Sequence, residues 1–138
     1  MAGSKSNYLE NAILDHWLGG PDYTRPATVY VALFTDSNTQ TQRDAGTVTE
    51  VSGSAYARVA VTNNSTNWPA ASGGSKSNGT AITFPTPTGS WGTVTAFGIY
   101  DASTAGNLLA HGDLAASQAV ASGNTVSFAV GALIGQED

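Results

Sequence analysis

The sequence predicts a mainly β protein: one antiparallel β-sandwich of about seven or eight strands, jelly-roll-like, with a single short N-terminal α-helix. Three observations lead there. Residues 93–100 alternate strictly, with Thr93, Thr95, Phe97 and Ile99 opposed to Val94, Ala96, Gly98 and Tyr100. Residues 28–34 alternate in the same way, with Val29, Val31 and Leu33 opposed to Tyr30, Ala32 and Phe34. A period of two with β-branched and aromatic residues is the signature of a strand. Third, clusters of Gly, Pro, Asn and Ser punctuate the chain at hairpin-like spacing, with no internal repeat. A length of 138 residues makes residues 1–138 one domain.

The helix is expected over about residues 7–18. Leu9, Ile13 and Trp17 recur every fourth residue, flanked by Tyr8, Ala12 and Leu18. They form one apolar stripe, whose burial requires a sheet or a neighbouring subunit. Asn7 and Glu10 have the spacing of a capping box. Gly19, Gly20 and Pro21 end the helix. Strand 28–34 follows a loop, and residues 36–49 read as a long polar loop. Residues 54–61 alternate again, and 62–78 form a second long loop rich in Asn, Ser and Gly. Trp68 within it argues against plain disorder, because an indole seeks a surface. Residues 81–84 make a short strand that Pro85 and Pro87 confine to an edge.

Residues 93–100 carry apolar groups on both faces and are placed centrally. Gly98 there suggests a bulge or the close approach of a ring. Trp91 closes one end of the core, and residues 108–113 supply the antiparallel partner. Residues 118–120 and 125–130 form a last pair, with Val126, Phe128 and Val130 on one face, and 132–134 extend it.

Composition narrows function. Charged residues are 11% and the formal net charge is -5. Five Lys plus Arg spread along such a chain make no phosphate-tracking stripe, so nucleic acid is not an expected partner. No apolar run approaches a membrane span, and no apolar leader opens the chain, so neither membrane nor signal peptide is expected. With no Cys there is no thiolate metal site.

Titratable groups are few. Asp15 and His16 are adjacent on the helix and point about 100° apart, so they cannot face each other. His16 reads as a helix-flank residue with its ring against the sheet. His111 and Asp113 share one strand face and could orient each other, but no Gly-x-Ser-x-Gly elbow supplies a nucleophile. Packing is the favoured reading, and no catalytic residue is assigned. Residues 36–40 begin like a calcium loop and fail at Thr41 and Thr47, so no metal site or cofactor is assigned. Residues 73–77 lack the Gly-Lys-Ser/Thr frame of a P-loop. Asn63, Asn64 and Asn78 match glycan-acceptor sequons by composition alone. Trp68, loop-borne and beside Asn, is the one candidate for stacking a sugar.

Several blocks taken in order carry a resemblance: Tyr8-Leu-Glu-Asn-Ala-Ile-Leu-Asp-His-Trp-Leu-Gly-Gly20, Ala27-Thr-Val-Tyr-Val-Ala-Leu-Phe-Thr35, Thr49-Glu-Val-Ser-Gly53 with Tyr56-Ala-Arg58, and Gly89-Ser-Trp-Gly-Thr-Val-Thr-Ala-Phe-Gly-Ile-Tyr-Asp101 with Gly106-Asn-Leu-Leu. From about Tyr8 to Leu133 the chain resembles a family of small virion proteins of tailed bacteriophages and prophages, tail-fibre-like or minor structural. That resemblance implies a non-enzymatic structural protein, located in the virion. It would decorate or cement the capsid, or attach to the tail or tail fibre, and form a homo-oligomer. Its partners would be phage capsid or tail proteins, with Leu9, Ile13 and Trp17 as interface candidates. The alternative is a module that binds a host receptor glycan through Trp68.

Overall fold

A computed structural model describes residues 2–35 and 39–136. Its elements are β1 (Ala2–Lys5), α1 (Asn7–Trp17), β2 (Thr28–Phe34), α2 (Gln40–Asp44), β3 (Val59–Thr62), β4 (Ser75–Ser77), β5 (Ile82–Thr83), β6 (Gly92–Tyr100), β7 (Leu108–Val120), β8 (Ser127–Phe128) and β9 (Ile134–Gln136). The chain is mainly β with an N-terminal helix, as the sequence predicts. Seven strands form one sheet in the order β3-β2-β6-β7-β1-β9-β4, and β5 pairs with β8 as a separate ribbon. The two layers are therefore unequal. Every neighbouring pair is antiparallel except β1 beside β9.

β6 is central, between β2 and β7. One face of the sheet buries Val31, Leu33, Val94, Phe97 and Leu109 under Ile82, Phe84, Trp91, Phe128 and Leu133. The other buries Ala32, Phe34, Ala96, Tyr100 and Leu108. Strict alternation along β6 breaks at one place. Ala96 pairs with Asp113 but Val94 pairs with Gln118, so β7 bulges between them. The bulge turns Val94 onto the face of Phe97, away from Ala96.

Several expected elements differ. The stretch 118–120 is the end of the long strand β7, whose middle residues 115–117 are exposed and so lack a period-two pattern. Of residues 54–61 only the last part is strand. Ser54 and Ala55 take left-handed φ values of 50° and 69°, turning Tyr56 inward. Tyr56 stacks on Phe84 at 6.2 Å and meets Trp91 edge-on at 5.3 Å. Val130 is exposed rather than sharing the core face of Phe128, because Gly131 turns the chain there at φ 80°. The loop 36–49 contains α2; its first residues, 36–38, where the calcium-loop pattern begins, lie outside the described residues. β1 has no apolar alternation and is held by pairing with β7 and β9.

The stretch 62–78, expected as a loop, contains β4, which pairs with β9, and the rest of it is ordered by amide side chains. Asn64 Oδ1 accepts from the Thr66 and Asn67 N–H groups at 3.1 and 2.9 Å. Buried Asn78 donates to the Thr80 and Ala129 carbonyls at 2.8 and 3.0 Å and accepts from Leu133 N–H at 2.9 Å. These are the local bonds by which Asn replaces a backbone ladder. They also account for Asn78 as a structural residue rather than a glycan acceptor.

Candidate functional site

The N-cap of α1 is Ser6, one residue before the Asn7 that the sequence suggests. Its Oγ accepts from Leu9 N–H at 3.3 Å and donates to the Leu108 carbonyl, and its own N–H donates to the Leu109 carbonyl at 2.8 Å. The helix start is thereby pinned to β7. At the other end Gly19 takes φ 84°, and Gly20 N–H donates to the Asp15 carbonyl at 2.8 Å. His16 does not lie against the sheet. Its ring is about half exposed, and Nδ1 accepts from Tyr23 N–H at 3.1 Å, which fixes the descent of the chain.

Held this way, α1 divides its apolar residues. Leu9 and Ile13 turn toward the sheet and line a cavity of about 420 Å3, with Phe97, Ile99, Leu133 and Trp68 among the other walls. Trp17, four residues on, is 66% exposed, and Leu18 is 64% exposed. Leu14 is exposed as well, and no residue of α1 is fully buried. At 3.6 residues per turn, Trp17, Leu14 and Leu18 continue the arc begun by Leu9 and Ile13 around half of the helix circumference. The three interface candidates are thus split: two line the half-open cavity beside the sheet, and one stands in solvent with Leu14 and Leu18.

Trp68 is half-buried and packs against the main core. Its indole N–H is buried without an acceptor among the described residues. Besides the apolar cavity, it lines a second, polar cleft of about 570 Å3 with Arg25, Asn63, Asn64, Ser65, Ala70 and Lys76. The sequence singled out Trp68; the two cations beside it come from distant stretches and carried no local signal.

His111 and Asp113 share a face of β7 but do not pair. His111, 1% exposed, meets Asp44 at 2.8 Å through Nε2. Asp113 accepts from buried Arg43. Asp44 and Arg43 both belong to α2, which a Thr39–Gln42 capping box starts. The Arg43–Asp113 ion pair, the His111–Asp44 contact and a Gln40–Ser4 hydrogen bond of 2.7 Å therefore clasp α2 onto the sheet. Arg58 makes a similar clasp. Its Nε lies 2.9 Å from both Glu50 oxygens, one terminal nitrogen donates to the Ala102 and Ala105 carbonyls at 2.8 Å, and the guanidinium lies 3.6 Å above the Tyr100 ring. Among the described residues no cluster of three His, Asp or Glu could hold a metal ion, and no helix is long and apolar enough to cross a membrane.

The family model described as Podophage GP4 fiber I protein gp80 matches residues 4–136. No curated protein matches the chain.

Proposed function

The chain belongs to the podophage GP4 fiber I protein gp80 family, and from that premise we propose that it is a non-enzymatic structural module fixed in the particle by the exposed arc of α1. Family membership makes it a phage virion protein of fibre type, which contacts other virion proteins. The finer reading is that Trp17, with Leu14 and Leu18, docks on another tail or fibre chain. The observation that carries it is the exposure of Trp17 and Leu18 on a helix whose start is rigidly anchored. A large aromatic flanked by leucines on a fixed scaffold has the composition of an interface hot spot. Burying such a group in a partner stabilises the contact by about 2 kcal/mol or more.

The fate of the ionisable groups supports a contact role over catalysis. His111, Asp44, Arg43, Asp113, Arg58 and Glu50 all join elements of the fold. A general acid or base needs a reachable substrate proton, and His111 is enclosed.

Electron microscopy of intact particles tests the reading. Density for this chain at the tail or fibre, with α1 against a neighbouring chain, is the expected result. A neighbour that is a second copy makes the module a homo-oligomer. Copies spread over the shell would replace fibre attachment with capsid decoration, and an α1 bathed in solvent in the particle would overturn the docking surface.

A further inference from the structure

We propose that the cleft bounded by Arg25, Asn63, Asn64, Ser65, Trp68 and Lys76 binds a saccharide carrying an anionic substituent, a carboxylate or a phosphate. The chain has five Lys plus Arg against ten Asp plus Glu. Arg43 and Arg58 are committed to Asp113 and Glu50. Arg25 and Lys76 are both exposed, make no hydrogen bond or ion pair among the described residues, and line this same cleft. On a protein of formal charge -5 this is a local inversion of sign. Such an inversion attracts an anionic group while the rest of the surface repels polyanions.

The remaining walls add the pattern of a sugar. Asn63 donates its amide NH2 to the Pro26 carbonyl at 2.9 Å, which leaves its Oδ1 to accept. Asn64 uses its Oδ1 on Thr66 and Asn67, which leaves its NH2 to donate. Ser65 adds a hydroxyl. The cleft thus offers both an acceptor and several donors, and vicinal hydroxyls need both. Trp68 and Ala70 supply apolar surface, which suits the C–H face of a pyranose. The frame is rigid, because Asn67 donates to the Thr62 carbonyl at 2.9 Å and accepts from Thr80 at 2.9 Å. A site fixed before binding loses less entropy on binding. Single-stranded nucleic acid, the other phosphate-bearing ligand with stacking faces, needs a run of cations along its backbone, and this cleft has two. No residue of α1 takes part, so the site is independent of the docking arc.

The test is saturation-transfer NMR and calorimetry on the full chain with four probes: a galacturonate oligomer, mannose phosphate, a neutral galactose oligomer and oligothymidylate. The expected result is binding of the galacturonate oligomer or mannose phosphate, at least tenfold tighter than the neutral oligomer and weakened by salt. Which of the two binds identifies the anionic group. Arg25→Gln with Lys76→Gln should reduce affinity at least tenfold with an unchanged melting temperature, since both side chains are exposed. Trp68→Phe, which keeps an aromatic ring in the wall, should weaken binding several-fold. The proposal is overturned if no saccharide binds, if neutral and anionic oligomers bind equally, if the double substitution leaves affinity unchanged, or if oligothymidylate binds tightest.

Discussion

The Phe34 ring lies on the bare α-carbon of Gly98, in the space that a Cβ would fill. Leu108 Cδ1 stands 2.9 Å from the same point. The central strand therefore has a glycine because two core side chains cross it, not because it turns. Gly98→Ala should cost about 1–3 kcal/mol by overpacking. Thermal melts of Gly98→Ala and of Gly98→Ala with Phe34→Leu check this: the second, with its smaller side chain, should recover part of the loss. An unchanged melting temperature for the single variant would disprove the contact.

The α2 clasp is asymmetric, and that makes a signed prediction. The Arg43 side chain is 6% exposed and Asp113 is 73% exposed. Asp113→Ala leaves a buried guanidinium without its counter-charge, at a cost of about 2–4 kcal/mol. Arg43→Met leaves a carboxylate that water already reaches, and should cost about 1 kcal/mol or less. Urea titration of both variants gives the order; the reverse order refutes the asymmetry.

Asn78 ties the end of the β4–β9 ladder to the Thr80 and Ala129 carbonyls. Asn78→Ala leaves the Thr80 and Ala129 carbonyls and the Leu133 N–H short of a partner, for about 2–4 kcal/mol. Asn78→Asp should be worse at neutral pH, since a carboxylate oxygen would then face two carbonyl oxygens. Such a buried carboxyl has a raised pKa, so the stability of this variant relative to the native chain should improve as pH falls toward about 4. Denaturant midpoints measured across pH decide it, and a pH-independent difference counts against the geometry.

Tyr56 gives the stability of the fold an alkaline dependence. Burial, first of its causes, raises its phenol pKa above the ordinary value of 10.0. A group whose folded pKa is raised contributes stability below the unfolded pKa and loses it as pH climbs toward the folded one. Stability should therefore fall progressively above about pH 10. Tyr56→Phe should be less stable at neutral pH, having lost the acceptor for Leu33 N–H at 3.1 Å, yet show a shallower alkaline decline. Parallel slopes for the two chains above pH 10 would contradict this.

What the sequence shows of this fold follows from how each segment is buried. β2 and β6 are covered on both faces, and their extents, the pairing of β6 with β7 and the ring over Gly98 were legible as alternation with a misplaced glycine, whereas the pairing of β2 with β6 carried no local signal. β1 is legible in nothing but its neighbours, because Gly3 and Ser4 pair through backbone alone. The bulge in β7 between the partners of Val94 and Ala96 was hidden because, Leu114 apart, the residues it displaces are small and exposed. Site residues divide the same way. Trp68 is visible as a loop-borne indole, whereas Arg25 and Lys76 meet it only through tertiary folding. The helical stripe named Leu9, Ile13 and Trp17 together. Only the Ser6 anchor, which sets the rotation of α1, separates the inward pair from the outward Trp17.

The most direct measurement is incorporation of a Trp17→Ser, Leu18→Ser chain into phage particles grown on a host that supplies it in place of the native protein. Both side chains are exposed, so the purified variant should keep its stability within about 0.5 kcal/mol. Particles purified from that host should lack the chain, or carry it at a small fraction of the native amount. Full incorporation of the stable variant would contradict a fibre module held by α1.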